Sequence, residues 1–252
     1  MPRLRSVGFG DRLTLVEHLD ELRTRIIVSI ATFTVAFGVC VWQDERVLEI
    51  ANGPLPAGIE PTTLGPAEPF TTTILLAVFA ALVVALPMIL YQAYAFVLPA
   101  LTAHERGVLL PLLLLAPLLF LGGVAFAYAV VTPAALDFLL AFNAGEFDVQ
   151  LRAREYYGFL AMTLFAIGIL FQVPIAILGV TRLGIVTPEQ LAANRRYAIL
   201  AIAILAMLLP GTDPVTMLIS MAPLVVLFEL SILLARALGR RDGDAPPEAG
   251  PH

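Results

Sequence analysis

The stretch LVEHLDELRTRI, residues 15–26, places three carboxylates, one histidine and two arginines directly before an apolar segment. At 3.6 residues per turn, its apolar residues form one stripe and its carboxylates form the opposite face. The stripe contains Leu15, Leu19, Leu22 and Ile26, and the acidic face contains Glu17, Asp20 and Glu21, flanked by Arg23 and Arg25. Grouped carboxylates can bind a cationic ligand, and guanidinium fits best because its planar donors match a carboxylate. The alternative is an ordinary helix leading into a membrane span, whose acids are only solvated.

The composition is that of an integral membrane protein. Of the 252 residues, 59% are hydrophobic and 14% are charged, and the mean hydropathy is +0.89. A soluble domain is typically about 45–50% apolar and about 25% charged. The single cysteine, Cys40, excludes an intrachain disulfide and a cysteine-cluster metal site.

Long runs without Asp, Glu, Lys or Arg predict the membrane helices, since a span needs about 20 apolar residues. The runs are 26–43, 69–103, 107–136, 156–181, 197–212 and 214–228, the last continuing past one glutamate to residue 235. The sequence PGTDP at 210–214 is typical of a tight turn. We therefore expect an all-α integral membrane protein with six transmembrane helices, of which the last two are short and form a hairpin.

Arginine placement predicts the orientation, because cytoplasmic loops carry an excess of basic residues. If successive helices cross the membrane in alternating directions, twelve of the fifteen arginines lie in segments on the same side of it. We expect this side to be cytoplasmic. Both termini are then inside. The predicted parts are an amphipathic cytoplasmic segment at 1–25, a membrane domain at 26–235 and a disordered cytoplasmic tail at 236–252.

The membrane helices are expected to be irregular. Prolines lie inside four of the runs, at Pro87, Pro111, Pro117, Pro174 and Pro223. Each proline removes a backbone hydrogen bond and favours a kink, although prolines are also simply frequent in membrane helices. The fifth helix, 197–209, would span only about 20 Å, so the bilayer should be thinner around it.

Motifs for chemistry are missing. The chain has no Gly-rich phosphate loop, no HExxH, no GxSxG and no His/Cys cluster, so we expect no enzyme activity and no metal or other cofactor. The first five helices contain no ionisable group at mid-depth, which argues against a small-solute secondary transporter. That transporter and a purely structural scaffold are nevertheless kept as alternatives. No nucleic-acid partner is expected.

A second acidic position supports a receptor for a cationic ligand. Glu105 lies in LPALTAHERGVLLP, 98–111, on the predicted inner side. Acids are unexpected on a face that is normally positive, and five occur there up to this point, namely Asp11, Glu17, Asp20, Glu21 and Glu105. The acidic stretch at 15–26 and Glu105 both lie on the predicted inner side of the membrane domain. Together they predict a site for guanidinium groups.

Six stretches together carry a specific resemblance. They are HLDELRTRI (18–26), EPF (68–70), LYQAYAFVLPALTAHER (90–106), FAYAVVTP (126–133), GILFQVP (168–174) and LPGTDPVTMLISMAPLVVLFE (209–229). In this order they resemble the TatC family, the receptor subunit of the twin-arginine protein translocase. The resemblance covers nearly the whole membrane part of the chain.

The resemblance implies a function and a set of site residues. The protein would bind twin-arginine signal peptides of folded cargo proteins at the bacterial cytoplasmic (inner) membrane. It would work in an oligomeric complex with TatA- and TatB-type single-span proteins, driven by the proton-motive force. By their motif positions, the implied arginine acceptors and neighbouring signal-peptide-binding residues are Glu21, Glu105, His18, Arg23, Phe96, Pro99 and Arg106, and the implied functional or structural polar residues are Glu68, Gln172, Asp213 and Glu229.

One position departs from the family pattern. Members typically carry a glutamate before the Val-Pro of the fourth helix, where this chain has Gln172. An amide can form hydrogen bonds but cannot titrate or form an ion pair. A role for a buried carboxylate at this position is therefore in doubt for this protein.

Overall fold

The computed structural model describes residues 15–97, 103–142, 144–146, 150–182, 184–209 and 213–243. Within these ranges, the side chains of residues 15–17, 97, 103–114, 182 and 237–243 are not described. The described chain is helical, apart from turns and one isolated parallel bridge between Thr62 and Arg152. The predicted all-α fold is confirmed.

Ten α-helices and one π-helical segment follow one another along the described chain. They are α1 (Leu15–Trp42), α2 (Asp44–Asn52), α3 (Glu68–Val97), α4 (Ala103–Phe126), the π-helical segment (Ala127–Val131), α5 (Thr132–Ala141), α6 (Ala153–Leu170), α7 (Val173–Arg182), α8 (Pro188–Ala193), α9 (Arg195–Met207) and α10 (Pro214–Gly243).

In the part of the chain that the structure describes, five helical stretches are long and apolar enough to cross a membrane. They are His18–Trp42, Glu68–Phe96, Leu115–Ala141, Ala153–Thr181 and Pro214–Arg236. The fifth predicted span is present as α9, which has 13 residues and a length of about 20 Å. This is less than the hydrocarbon thickness of about 30 Å, so α9 is too short to cross an unperturbed bilayer. Six crossings therefore stay a prediction.

The last two helices differ in length. The prediction that both are short holds only for α9, because α10 has 30 residues and continues to Gly243. Residues 236–243, assigned to the tail in the prediction, are thus helical, since RALGRRDG contains no proline and is rich in good helix formers. The turn at 210–212 and the tail from 244 onward lie outside the described residues.

The fourth predicted span is two helices. α6 ends at Leu170 and α7 begins at Val173, with Phe171 and Gln172 in a turn between them. Pro174 causes this break, because it has no N–H for the carbonyl of Leu170 and its ring crowds that carbonyl. α3 and α10, in contrast, continue through Pro87 and Pro223.

Two glycines allow a close contact between α4 and α6. A Cβ atom on Gly168 of α6 would lie 2.6 Å from Cε2 of Phe120 in α4, and one on Gly123 of α4 would lie 2.7 Å from Cγ of Phe171. Phe120 is completely buried. The backbones of α4 and α6 can approach because neither glycine has a side chain, which is a common way to pack membrane helices.

Candidate functional site

Glu21 lies at the beginning of α1 and is paired within its own helix. Its Oε1 accepts hydrogen bonds from Arg25 Nε at 3.0 Å and Arg25 Nη2 at 2.5 Å. A third nitrogen of Arg25, Nη1, donates to Gln92 Oε1 of α3 at 3.1 Å. Glu21 and Arg25 are each 23% exposed. The structure thus holds the carboxylate at the contact between α1 and α3.

Two further predicted site residues meet at the same contact. The rings of His18 and Phe96 are stacked with centroids 4.3 Å apart and an interplanar angle of 17°. His18 lies one turn before Glu21, and Phe96 lies one turn after Gln92. These pairs show that α1 and α3 are antiparallel. We call His18, Glu21, Arg25, Gln92 and Phe96 the Glu21 cluster.

Glu21 and Arg25 of the polar face of α1 face the protein, whereas Asp20 of that face is exposed and part of the apolar stripe faces outward. Leu19 is 65% exposed and Ile26 is 48% exposed, whereas Glu21 and Arg25 pack toward α3. In water the opposite arrangement would be expected, but in a bilayer apolar side chains are best placed against lipid. Arg23 is exposed and takes no described part in the Glu21 cluster.

The second predicted acceptor is described only through its backbone. Glu105 and Arg106 lie in the first turn of α4, and nothing is described of their side chains. Pro99 lies outside the described residues. Because α4 begins six positions after the end of α3, its first residue is at most about 22 Å from that end. Glu105 therefore belongs to the same end of the helices as the Glu21 cluster.

Glu68 lies at the other end of α1 and α3 and forms an interhelical ion pair. Its Oε1 accepts from Arg152 Nε at 2.7 Å, and its Oε2 accepts from Arg152 Nη2 at 3.3 Å and from the Leu64 N–H at 2.9 Å. The bond to Glu68 also raises the pKa of Arg152. Thr62 adds two backbone hydrogen bonds to residues beside Arg152, both of 2.8 Å. Glu68 thus fastens the loop before α3 to the beginning of α6.

Three tyrosine hydroxyls, which the sequence did not single out, bind the end of α2. Tyr128 donates to the carbonyl of Ile50 at 2.7 Å, Tyr156 to the carbonyl of Ala51 at 2.5 Å, and Tyr157 to Oδ1 of Asn52 at 2.7 Å. The last turn of a helix has carbonyls without an intrahelical partner, and two of these bonds satisfy such groups. We call these three tyrosines, together with residues 50–52, Glu68 and Arg152, the cap cluster.

Asp213 caps the last helix. Its Oδ1 accepts from the Thr216 backbone N–H at 2.7 Å, and its Oδ2 accepts from the Thr216 hydroxyl at 2.5 Å. Asp213 is buried and immediately precedes α10, which begins at Pro214. Asp is among the preferred residues at this position, and proline suits the first helical position. The structure thus gives this predicted polar residue a capping role.

We expect Asp213→Ala to destabilise the protein by about 1 kcal/mol, because the first turn of α10 would lose its capping acceptor. Asp213→Asn keeps an acceptor oxygen and should have a much smaller effect. The measurement is the thermal unfolding midpoint of each purified variant in detergent. If both variants were destabilised equally, the charge of Asp213 and not its capping bond would be responsible.

The remaining two predicted polar residues are also held by neighbouring helices. Gln172 Nε2 donates to the carbonyl of Ala116 in α4 at 3.1 Å, and its buried Oε1 has no hydrogen-bond partner within the described part of the chain. Glu229 of α10 accepts from Arg195 Nη2 of α9 at 2.8 Å. Among the described residues, no group of three or more His, Cys, Asp or Glu side chains is placed to hold a metal ion.

Comparison with known proteins identifies the family. Residues 17–223 match the family described as Sec-independent protein translocase protein (TatC). The chain belongs to the TatC family. TatC of Aquifex aeolicus is 37% identical over 235 residues, which are 91% of this chain and 97% of that protein. The chloroplastic TATC of Arabidopsis thaliana is 33% identical over 241 residues, 95% of this chain and 71% of that protein.

A solved structure shares the fold. The crystal structure described as the twin arginine translocase receptor TatC in DDM has a TM-score of 0.76 and 37% identity. The match covers 87% of this chain and 99% of that chain. The protein is therefore a multi-pass membrane component of the Tat translocase, which includes other subunits. TatC proteins are transport proteins and not enzymes, and the matches give no support to the alternative of a small-solute transporter.

Arg25 and Gln92 are the two residues of the Glu21 cluster that the predicted site omitted. A glutamate four residues before an arginine is a known stabilising pair on a helix, so the spacing could have pointed to Arg25. The contact from Arg25 to Gln92 crosses 67 positions of the sequence and has no local signal.

Proposed function

We propose that this TatC-family protein is the signal-peptide receptor of a twin-arginine translocase. In this proposal Glu21 and Glu105 accept the two neighbouring arginines of the signal on the cytoplasmic side of the bacterial inner membrane. The exported protein is already folded, and transport uses the proton-motive force with single-span partners of the TatA and TatB types. No nucleotide or other cofactor takes part.

The observation that carries this proposal is the position of the Glu21 carboxylate. It is partly buried where α1 meets α3, and the stacked rings of His18 and Phe96 lie one helical turn away at the same contact. A carboxylate that is shielded from water binds a guanidinium more strongly than a fully solvated one. Glu105 lies in the first turn of α4, at the same end. Two acceptors at one rim suit two consecutive arginines.

The arginine distribution supports the proposed orientation. In the described chain, the end of the helices that carries the Glu21 cluster also carries Arg23, Arg25, Arg195, Arg196 and Arg236, whereas Arg46, Arg152 and Arg154 belong to the end with the cap cluster. By the positive-inside rule, the Glu21 end is cytoplasmic. We infer six crossings with both termini inside, which requires α9 to cross a locally thinned bilayer.

Binding energies indicate which parts of the signal are needed. Two charge-assisted contacts contribute about 3–6 kcal/mol in all, whereas micromolar affinity requires about 8 kcal/mol. The remaining 2–5 kcal/mol corresponds to about 80–200 Å² of buried apolar surface. The apolar segment of the signal must therefore bind the helices as well. Salt should weaken only the arginine contribution.

The partner subunits are proposed to dock on α9 and the adjoining part of α10. Ile202 and Ala206 are buried on one face of α9, whereas most of its other large apolar side chains are exposed. At its end, a cavity of about 370 Å³ lies between Met207, Leu209 and Met217. A single-span helix of the TatA or TatB type could cover this exposed apolar surface.

The decisive experiment compares three leader peptides that differ only in the paired basic residues: RR, KR and KK. We expect the RR leader to bind the full-length protein in lipid nanodiscs at least about tenfold more tightly than the KK leader, because lysine cannot form the two parallel bonds that arginine forms with a carboxylate. The measurement is the dissociation constant of each labelled peptide, supported by photo-crosslinking from position 21.

The matched control is an RR leader whose apolar segment is replaced by a polar one of equal length. We expect this leader to bind weakly as well, because both parts contribute. Equal affinity of the RR and KK leaders would contradict the proposed function, whatever their absolute affinity.

A further inference from the structure

We propose that Arg25 is a built-in competitor for the signal: its guanidinium occupies Glu21 in the free protein and is displaced when a cationic ligand binds. This inference rests on the proposed function, in which Glu21 is an arginine acceptor. It adds a residue that limits how tightly any such ligand is held.

The hydrogen-bond geometry shows why displacement is needed. Arg25 directs two nitrogens, Nε and Nη2, to the same oxygen, Oε1 of Glu21. An arginine that binds a carboxylate through two parallel bonds uses both oxygens. A ligand guanidinium can therefore reach its best geometry on Glu21 only after Arg25 has left Oε1. Two guanidinium groups on one carboxylate would also repel each other.

Gln92 provides a second partner for the displaced guanidinium. Arg25 uses Nη1 for its bond to Gln92 Oε1 at 3.1 Å, and this nitrogen takes no part in the bonds to Glu21. Arg25 can therefore release Glu21 and keep Gln92. Since the Arg25 side chain is only 23% exposed, leaving it without any partner would be unfavourable. An ordinary pair on one helix needs no such third residue on α3.

Competition of this kind lowers affinity without changing selectivity. The same Glu21–Arg25 contact must break whichever cation arrives, so RR and KK leaders lose the same factor in affinity. The discrimination between them then depends on the acceptors and not on Arg25. For the receptor, the consequence is faster release of a bound signal, because differences in affinity at one interface are mostly differences in dissociation rate.

The test uses the full-length protein in nanodiscs with the labelled RR and KK leaders, and compares Arg25→Met and Arg25→Lys with the wild type. We expect Arg25→Met to bind both leaders about two- to fivefold more tightly, the range that corresponds to losing a weak ion pair that water can still reach. The RR:KK ratio should stay constant. Arg25→Lys keeps the charge but loses the planar set of donor nitrogens. Its affinity for the leaders should therefore lie between that of the wild type and that of Arg25→Met. Arg46→Gln removes one exposed arginine from α2 at the other end and should change neither affinity.

A second comparison separates competition from a structural role of Arg25. If Arg25 only holds α1 against α3, Arg25→Met will bind the leaders equally or more weakly, and the proposal is overturned. Gln92→Leu should weaken binding when Arg25 is present and have no effect in the Arg25→Met background. An equal effect of Gln92→Leu in both backgrounds would also overturn it. Should Arg25→Met fold poorly, Arg25→Lys takes its place in the test. Tighter leader binding by Arg25→Lys than by the wild type supports the proposal, and equal or weaker binding overturns it. A wild type that does not distinguish RR from KK would instead reject the proposed function itself.

Discussion

A receptor that carries both Glu21→Gln and Glu105→Gln should bind an RR leader at least about a hundredfold more weakly than the wild type. Each lost charge-assisted contact is worth about 1.5–3 kcal/mol, and 3 kcal/mol for the pair corresponds to slightly more than a hundredfold. Glu21→Gln also leaves Arg25 without its carboxylate partner, which adds local positive charge. The measurements are the dissociation constant of the labelled leader and the crosslinking yield, at equal amounts of membrane-inserted protein.

Asp20→Asn is the matched control for this double variant. Asp20 precedes Glu21 on α1 but is exposed, so its neutralisation should change leader affinity little. Charge reversal by Glu105→Arg should be worse than Glu105→Ala, because it adds repulsion to the lost contact. Unchanged crosslinking in the double variant would reject the assignment of the two acceptors.

Gly168→Ala should destabilise the protein by about 1–3 kcal/mol, the usual effect of overfilling a packed core. The added Cβ would lie 2.6 Å and 2.9 Å from two ring carbons of Phe120 and 3.0 Å from Cγ2 of Val124. The Phe120 ring is fully buried between the helices and has little room to move. The measurement is the thermal unfolding midpoint in detergent, with leader binding as a second readout.

Gly158→Ala makes the same chemical change in the same helix. A Cβ on Gly158 meets no atom within 4 Å, and alanine is a better helix former than glycine by about 1 kcal/mol. This variant should therefore be as stable as the wild type or more stable. Two variants with equal losses of stability would mean that α6 tolerates no substitution of glycine, and the close approach to α4 would not be the cause.

The membrane helices could be predicted because the signal is local. A run without charges is expensive to expose to water and long enough to span a bilayer, so α1, α3 and α10 were found near their observed positions. The break between α6 and α7 was harder to predict. Pro174 predicts an irregularity, but a kinked helix and two separate helices have the same local sequence.

The site could be predicted only in part. His18, Glu21 and Phe96 were expected together, and the structure places them at one contact of α1 and α3. The stacking of His18 on Phe96 and the role of Arg25 depend on the register of two helices whose contacting residues are more than sixty positions apart in the sequence. The partner of Glu229 was missed for the same reason, since Arg195 is 34 positions away.

Which face of α1 contacts the rest of the protein could not be predicted, for a different reason. A helical projection separates a polar face from an apolar face but does not show which of them meets protein. In a bilayer Leu19 and Ile26 can face lipid, so Glu21 and Arg25 can lie in the protein contact. Nothing in the sequence indicated that the three tyrosines of the cap cluster bind α2, because buried and exposed tyrosines are alike in a sequence.

The cap cluster has a mechanical consequence. Hydroxyls of Tyr128, Tyr156 and Tyr157 pin the short helix that directly follows α1, so the far end of α1 has a fixed pivot. α1 has 28 residues and is about 40 Å long. A tilt of about 3° at that pivot displaces the opposite tip by about 2 Å. A small rotation at the tyrosine-anchored end is thus enough to change the spacing between α1 and α3 at the Glu21 cluster.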